Sequence, residues 1–520
     1  MCIRDSLKEA LISANNNDTI SCKRPTPLFN PYTPGIYSLK NKKIFVGIRE
    51  PGSRSPNDIT IPDTTIHMPP NFLHTAPDSS YWTPQQKVND PDTLPHIEPY
   101  LLKGPEGNMW FIWRRKAEFL WPGHICGDIW ARRYNMETSQ FEPQRDISAF
   151  DSLGDFRPHA TTDTSGKLWV IWTREKSQQT WDYDEMFTTW SPSQGWAQPD
   201  YVADDERYDI APYIFNAGGD IWVVFTSDTV NGNPLNYEIY ARKWNGQEFC
   251  CETVLSHPDW GQDETVLWAT GDRFGRGHVV WYEYWTGGLF YRQYYDGQWS
   301  EPILVNDTTW LYGYVSEIDV DEETGEIYIA FAGYIKDGSG DLNVYLTHSS
   351  DGYEWSEPIV VNENTSYRDY WPSLVVRSED DIWVFWDKEI TWIITHVWGR
   401  HYESGAWEPE MQIDQVTEPS LGIKGEKDLN NKIWVTFGGG YGNLVDPPDI
   451  WYSRYVEGES VVEEEDVFRP PQEISTVFRG RMDLSLEKGG DMRIYDELGR
   501  FVGSTDGRAR LEAVSYTHLT

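Results

Sequence analysis

Three segments of the chain share the pattern Asp-x-x-Pro: Asp155-Phe-Arg-Pro158, Asp209-Ile-Ala-Pro212 and Asp369-Tyr-Trp-Pro372. Asp263 and Glu264 stand at the matching point of a fourth. Two such carboxylates held roughly 5–10 Å apart could serve as acid and base in glycoside hydrolysis. The same groups could move a proton in a polysaccharide lyase, with Arg157 and His159 as basic neighbours. The plainer reading is architectural, because an Asp ahead of a turn commonly accepts backbone N–H bonds.

A second set is aromatic. Trp121, Trp181, Trp285 and Trp392 fall in irregular segments with carboxylates close by, as do Trp260, Trp310, Tyr370 and Trp371. Exposed rings beside acids suit the apolar faces and hydroxyls of sugars, and equally suit proline-rich or cationic ligands. Packing within loops is the competing role. No cofactor is expected. Asp319-Val-Asp321-Glu-Glu-Thr-Gly325 offers oxygen ligands for Ca2+, but its spacing is not that of an EF-hand. The five cysteines show no zinc spacing, and no phosphate-cradling loop or nucleophile elbow is evident.

These residues hang on a repeat. A strand of the form Gly-x-(Ile/Leu)-Trp-Val-x-(Phe/Trp) recurs around Trp110, Trp169, Trp222, Val279, Tyr328, Trp383 and Trp434. A second strand follows each, as in Asp128-Ile-Trp-Ala-Arg-Arg-Tyr134. Units of roughly 50–60 residues made of short strands predict an all-β, seven-bladed β-propeller of four-stranded antiparallel blades. The fourth strand carries an aromatic shortly before Pro, as at Phe141/Pro143, Trp196/Pro199, Trp299/Pro302, Trp355/Pro358 and Trp407/Pro409. The last repeat lacks this strand, and Tyr81-Trp82-Thr83-Pro84 carries it ahead of the first. Lending that ribbon to the last blade closes the ring without an open edge. Counting 31–94 as a degenerate first blade gives eight blades as the alternative. In either count the loops joining strand 4 to strand 1, and strand 2 to strand 3, are long and aromatic. They define the face expected to bind.

Outside the repeat, 1–6 and 514–520 resemble translated adaptor sequence and are set aside. Residues 7–66 resemble the cap and first coil of right-handed β-helix proteins of the pectate-lyase kind. Segment 67–80 is a Pro-rich linker, 81–460 the propeller and 461–470 an acidic linker. Residues 471–513 read as a truncated Ig-like sandwich, in which Ile494-Tyr-Asp-Glu-Leu-Gly-Arg500 resembles the C-terminal sorting modules of type IX secretion and FlgD-type Ig domains. That resemblance implies a bacterial protein, extracellular or at the cell surface, that engages secretion machinery. Ser349-Ser-Asp-Gly-Tyr-Glu-Trp355 resembles the Asp-box turn of sialidase-type (BNR) propellers, one residue short of the usual pattern. Phe156-Arg157-Pro158 lacks the aliphatic residue of that family's Arg-Ile-Pro element, and its remaining arginines and Tyr/Glu pair have no assignable counterpart. A non-catalytic relative is implied.

A formal charge of −38 disfavours nucleic acid and anionic membrane surfaces. No apolar run is long enough to span a bilayer. The reading is a propeller that binds a glycan or an extracellular protein without catalysis. The alternatives are a carbohydrate-active enzyme, hydrolase or lyase, and a structural spacer of a larger surface protein.

Overall fold

The computed structural model describes residues 81–116, 127–148, 153–176, 183–202, 204, 207–228, 237–256, 263–335, 341–363, 367–391, 394–414, 419–440 and 447–456, plus the backbone of short strands between 474 and 519. Segments 7–66 and 67–80, and the loop residues Trp121, Trp181, Trp260 and Trp392, lie outside the described residues. The chain divides into two compact units, Met1–Glu457 and Gly458–Thr520.

The first unit is a seven-bladed propeller of antiparallel four-stranded blades. The innermost strands are His96–Lys103, Asp155–Thr162, Asp209–Ala217, Glu264–Gly271, Leu311–Val320, Arg368–Ser378 and Ser420–Lys427. Each pairs with a second strand so apolar that it is buried along nearly its whole length, as in Leu168–Glu175 and Ile433–Gly439. Such strands have a neighbour on both faces.

The outermost strand shows why the prolines matter. Proline cannot donate to a ladder and is tolerated only at edges. In blades one, two, four and six the strand is therefore cut in two, as Gln140–Phe141 and Arg145–Asp146 or Gly195–Trp196 and Asp200–Tyr201. Blade three has no such proline and keeps a single edge strand, Phe249–Val254, with a bulge at Cys251.

Packing is organised between blades. Each of the seven hydrophobic clusters is shared by two neighbours. The second-strand tryptophan of one blade meets the outer aromatics of the next: Trp110 lies 4.8 Å from Trp190, Trp169 5.1 Å from Trp244 and Trp222 4.9 Å from Tyr294. In two blades its indole N–H caps the preceding turn, Trp169 donating to Asp163 and Trp434 to Asp428. His278 stands in this position in blade four and keeps the bond, to Asp272. Third-strand arginines strap blades together from the rim. Arg132, Arg242, Arg292 and Arg400 donate to the backbone carbonyls of Val88, Val202, Leu255 and Val361, each on the preceding blade.

The ring closes through the N-terminal ribbon. Gln86 and Lys87 pair with Tyr452 and Trp451, and Trp82 bridges Tyr455. Seven blades are thereby complete, and the eight-bladed alternative is not adopted. In the second unit, Met492–Tyr495 pairs with Phe501–Thr505, and Arg481–Ser485 pairs with Arg508–Glu512.

Trp82 is 3% exposed and packs edge-on against Trp383 and Tyr455. Trp82→Ala is expected to cost about 3–5 kcal/mol, as large-to-small core changes do. Its half-exposed neighbour offers a control: Tyr81→Ala should cost under about 1 kcal/mol. Denaturant titration of the two variants checks this, and similar losses in both would contradict the closure role.

Candidate functional site at the propeller axis

Every innermost strand is irregular near its start. Pairing slips between Ile97 and Tyr100, Phe156 and His159, Ile210 and Tyr213, Tyr370 and Ser373, and Leu421 and Lys424. Smaller slips lie between Val266 and Trp268 and between Tyr314 and Ser316. In the first five, one residue turns left-handed: Glu98, Arg157, Ala211, Trp371 and Gly422. Proline follows in four of these, fixing the strand beyond the bulge. In blade seven the bulge is Gly422-Ile423, three residues beyond Glu418-Pro419. A glycine takes the required φ of 70° without strain.

The bulge divides the predicted acids from the axis. Asp155 is fully buried, accepting the Trp172 indole N–H at 2.8 Å and Arg174 at 3.2 Å. His96 and Glu264 take the same place in blades one and four, accepting from Trp113 at 2.8 Å and Trp281 at 3.3 Å. Asp369 is held by Asn362 at 2.8 Å, and burial raises its carboxyl to about 7. Asp209 is fully buried where the second strand carries Phe225. Asp263 is half-buried beside Tyr237 and is raised by burial. Arg157 has its backbone N–H on Glu98 at 2.8 Å, and its charge acts on Tyr183, Tyr208 and Tyr213. Asp319 accepts from the backbone of Val376 and Val320, and Asp321 from Glu323 and Thr324.

One residue per blade follows the bulge and lies at the axis: Tyr100, His159, Tyr213, Trp268, Glu317, Ser373 and Lys424. Their second-strand partners are Ile112, Ile171, Val224, Val280, Ala330, Phe385 and Thr436. Only His159 was visible as a candidate beforehand. The signal for three others is the residue directly after the bulge proline, Tyr100, Tyr213 and Ser373. The His159 ring lies 4.6 Å from Tyr100, 4.9 Å from Tyr213 and 5.1 Å from Trp268. Lys424 Nζ sits 5.1 Å from the Trp268 ring and pairs with Glu317 from across the axis.

Hydrogen bonds set the protonation states. The Ile214 backbone N–H donates to His159 Nδ1 at 3.2 Å, so the neutral ring carries its proton on Nε2. That N–H donates to the Tyr100 hydroxyl at 3.1 Å, and the hydroxyl donates to Ala160 O at 3.3 Å. Burial, with Lys424 adding to it, pushes His159 well below its ordinary value. Burial pushes Tyr100 well above its own, with Glu426 and Glu317 contributing. Glu317 is raised to about 7 by burial, against the pull of Lys424. The result is a neutral Tyr–His pair beside a carboxyl that titrates near neutrality.

Toward the loop-bearing face, aromatics continue from blade to blade. Tyr183 lies 5.1 Å from Tyr208, and Tyr208 6.0 Å from Tyr237. Trp285 is 62% exposed and edge-on to Tyr284, Tyr312 stacks on Tyr334 at 4.9 Å, and Tyr370 meets Trp371 at 5.0 Å. Trp310 packs against the cluster between blades four and five.

No known family matches the sequence, and no curated protein does. Solved structures do. An ulvan lyase of a polysaccharide lyase family, solved free and bound to -[GlcA(1-4)Rha3S]-, aligns with TM-scores of 0.51 and 0.50 at 12% identity, over 70% of this chain and 95% of its own. A protein of unknown function from Dyadobacter fermentans aligns with a TM-score of 0.44 at 10% identity, over 71% of this chain and 98% of its own. The NanB sialidase of Streptococcus pneumoniae gives 0.41 at 11% identity, over 71% of this chain and 70% of its own. The likeness to the ulvan lyase is one of fold.

Burial raises Glu264 to about 9, next to Glu238. Below about pH 4.5 the group is protonated folded or unfolded, so it adds no pH dependence there. Between about 4.5 and 9 only the folded chain holds the proton, and stability falls as pH rises. Glu264→Gln removes this loss. Its melting temperature relative to wild type should therefore rise between pH 5 and pH 8 by about 2 °C or more. A difference that stays constant across that range would refute the assignment.

Proposed function

We propose that this propeller binds a glycan on the face where the 4→1 and 2→3 loops emerge, without transforming it. The observation that carries the reading is the aromatic arc from Tyr208 and Tyr237 through Tyr284, Trp285, Tyr312 and Tyr334 to Tyr370 and Trp371, above an axial floor of Tyr100, His159, Tyr213 and Trp268. Partly exposed rings on a rigid frame offer flat apolar surfaces to sugar faces at little entropic cost. The carboxylates that might have worked as an acid–base pair are instead engaged inside blades, Asp155 with Trp172 and Arg174 and Asp369 with Asn362. Delivery to the cell exterior through a C-terminal sorting module belongs to the same proposal, and an extracellular glycan is the partner it implies.

A second reading is kept for one feature. Tyr100 and His159 lie 3.1 Å apart, with Glu317 near neutrality and Lys424 beside it. This is a set of groups able to pass a proton in eliminating or hydrolysing an acidic polysaccharide.

Glycan arrays followed by calorimetry test the binding reading. Trp285→Ala and Tyr312→Ala should each weaken binding about 10-fold or more, which is about 1.4 kcal/mol. Unchanged affinity in the double variant would sink it. Assays for reducing ends and unsaturated uronates test the second reading. Turnover that is lost in Tyr100→Phe and kept in Asp155→Asn would establish an enzyme and place its chemistry at the axis.

A further inference from the structure

The outer hairpin of blade six gathers three potential metal ligands far from the axis. His401 and Glu403 lie two apart on the strand Ile394–Glu403 and so share a face. Glu408 returns beside them, its backbone N–H bonded to His401 O at 2.8 Å. One ligand atom from each side chain lies within 4.8 Å of the others.

Acidic groups on a hairpin are common and mean little alone. The histidine is what distinguishes this cluster. His401 is 2% exposed, its ring stacked on Trp383 at 4.2 Å. Its Nε2 lies 2.9 Å from Asp381 Oδ1, and a carboxylate there fixes the proton on Nε2. Asp381 is itself paired with Arg377. The other nitrogen, Nδ1, is buried and makes no hydrogen bond among the described residues. It faces Glu408, whose Oε2 is 3.4 Å away, and with the ring proton on Nε2 its lone pair has no donor to accept from. A buried lone pair aimed at a carboxylate is unfavourable unless something positive lies between them.

A second ring proton or a metal ion would resolve the conflict, and the spacing and the third ligand point to the metal ion. Metal–ligand distances of about 2.0–2.1 Å in tetrahedral geometry separate neighbouring ligand atoms by about 3.4 Å. The His401–Glu408 separation of 3.4 Å matches that edge. Glu403 is exposed, so a small rotation of its side chain brings in the third ligand. A carboxylate behind the histidine is the usual second layer of such sites, orienting the ring and raising its basicity.

We propose that His401, Glu403 and Glu408 bind one first-row divalent cation, Zn2+ foremost, with Asp381 orienting the histidine and water completing the coordination. An imidazole ligand argues against Ca2+ and Mg2+, which prefer all-oxygen sets. The site is structural. It ties the 403–406 turn to the blade and braces the Trp383 stack, against which Trp82 and Tyr455 close the ring.

Calorimetry with Zn2+ on the untagged full chain tests this, with Glu403→Gln/Glu408→Gln as comparator. Glu403 is exposed and the Glu408 side chain is 41% exposed, so the variant's metal-free melting curve should match wild type. Wild type should bind one more equivalent than the variant and should gain melting temperature with Zn2+ where the variant does not. Asp381→Asn should weaken the site about 10-fold or more while keeping the stoichiometry. With Co2+, wild type alone should give the visible absorption of a tetrahedral site. Equal stoichiometry and affinity in wild type and the double variant would overturn the proposal, because the remaining acidic surface would then account for all binding. So would a preference for Ca2+ over Zn2+.

Discussion

A single blade of this protein has apolar residues on both faces and cannot bury either alone. Each hydrophobic cluster belongs to two blades, so the one between blades seven and one forms only when the first and last blades meet, and Trp82 of the N-terminal ribbon completes the one between blades six and seven. Trp82 fills the cluster between blades six and seven, and Trp434 reaches Tyr134 of blade one at 5.1 Å. Hydrogen bonds secure the seam: Asn89 accepts from the Ile450 backbone and donates to Asp449, both at 2.8 Å. These partners are 361 and 360 residues apart. Loop-closure entropy grows only with the logarithm of that separation, so joining them costs about 2 kcal/mol more than closing a single blade. The cluster between blades seven and one, with Trp82 added to its neighbour, exceeds that several-fold.

With the frame held this way, the axial position is free to vary. The second-strand tryptophan must meet its neighbour's aromatics, and it is replaced only by His278 and Tyr328, which keep a ring and a polar tip. The axial residue beyond the bulge varies more widely, although Tyr100, Tyr213 and Trp268 also pack against inter-blade clusters. It is tyrosine, histidine, tryptophan, glutamate, serine or lysine according to blade. The polar and titratable axial side chains stand at the position whose identity the repeat fixes least. The bulges pay for this placement in backbone strain, with Glu98, Arg157, Ala211 and Trp371 held left-handed at about 1 kcal/mol or more each.

The same bulges explain what could and could not be read from the sequence. Blade number, the borrowed ribbon and the packing role of Trp110 or Trp169 follow from periodicities that a regular strand preserves. The facing of the inner strand does not. In an unbroken strand Asp155 and His159, four apart, would point to one side. Placing two residues opposite one reverses the alternation, so Asp155 turns toward Trp172 and His159 toward the axis. Without the bulge in view, Asp-x-x-Pro looks like a ring of channel carboxylates. Glu418-Pro419 misleads in the same manner, since proline marks the bulge in four blades and precedes it in the seventh. The blade-six cluster had no readable spacing at all, because Glu408 joins His401 across a turn and Asp381 comes from the neighbouring strand.

Charge then bears on what the loop face can hold. The chain carries 82 acidic against 44 basic residues, and many of the basic ones are committed internally. Arg132, Arg242, Arg292 and Arg400 strap blades, Arg174 is on Asp155, and Lys424 and Lys427 are buried in the inner strand of blade seven. The outward field is therefore negative. At physiological salt, exposed charges are screened beyond about 8 Å, so the repulsion acts on close approach and docking. A polyanion would have to overcome it with local cations, and Arg157 works among Glu98 and Glu185. A neutral glycan meets no such opposition, and the carboxylates around the arc can accept its hydroxyl hydrogens. If the face binds a glycan as proposed, aromatic stacking with acidic acceptors would accordingly favour neutral sugars over uronate-rich chains.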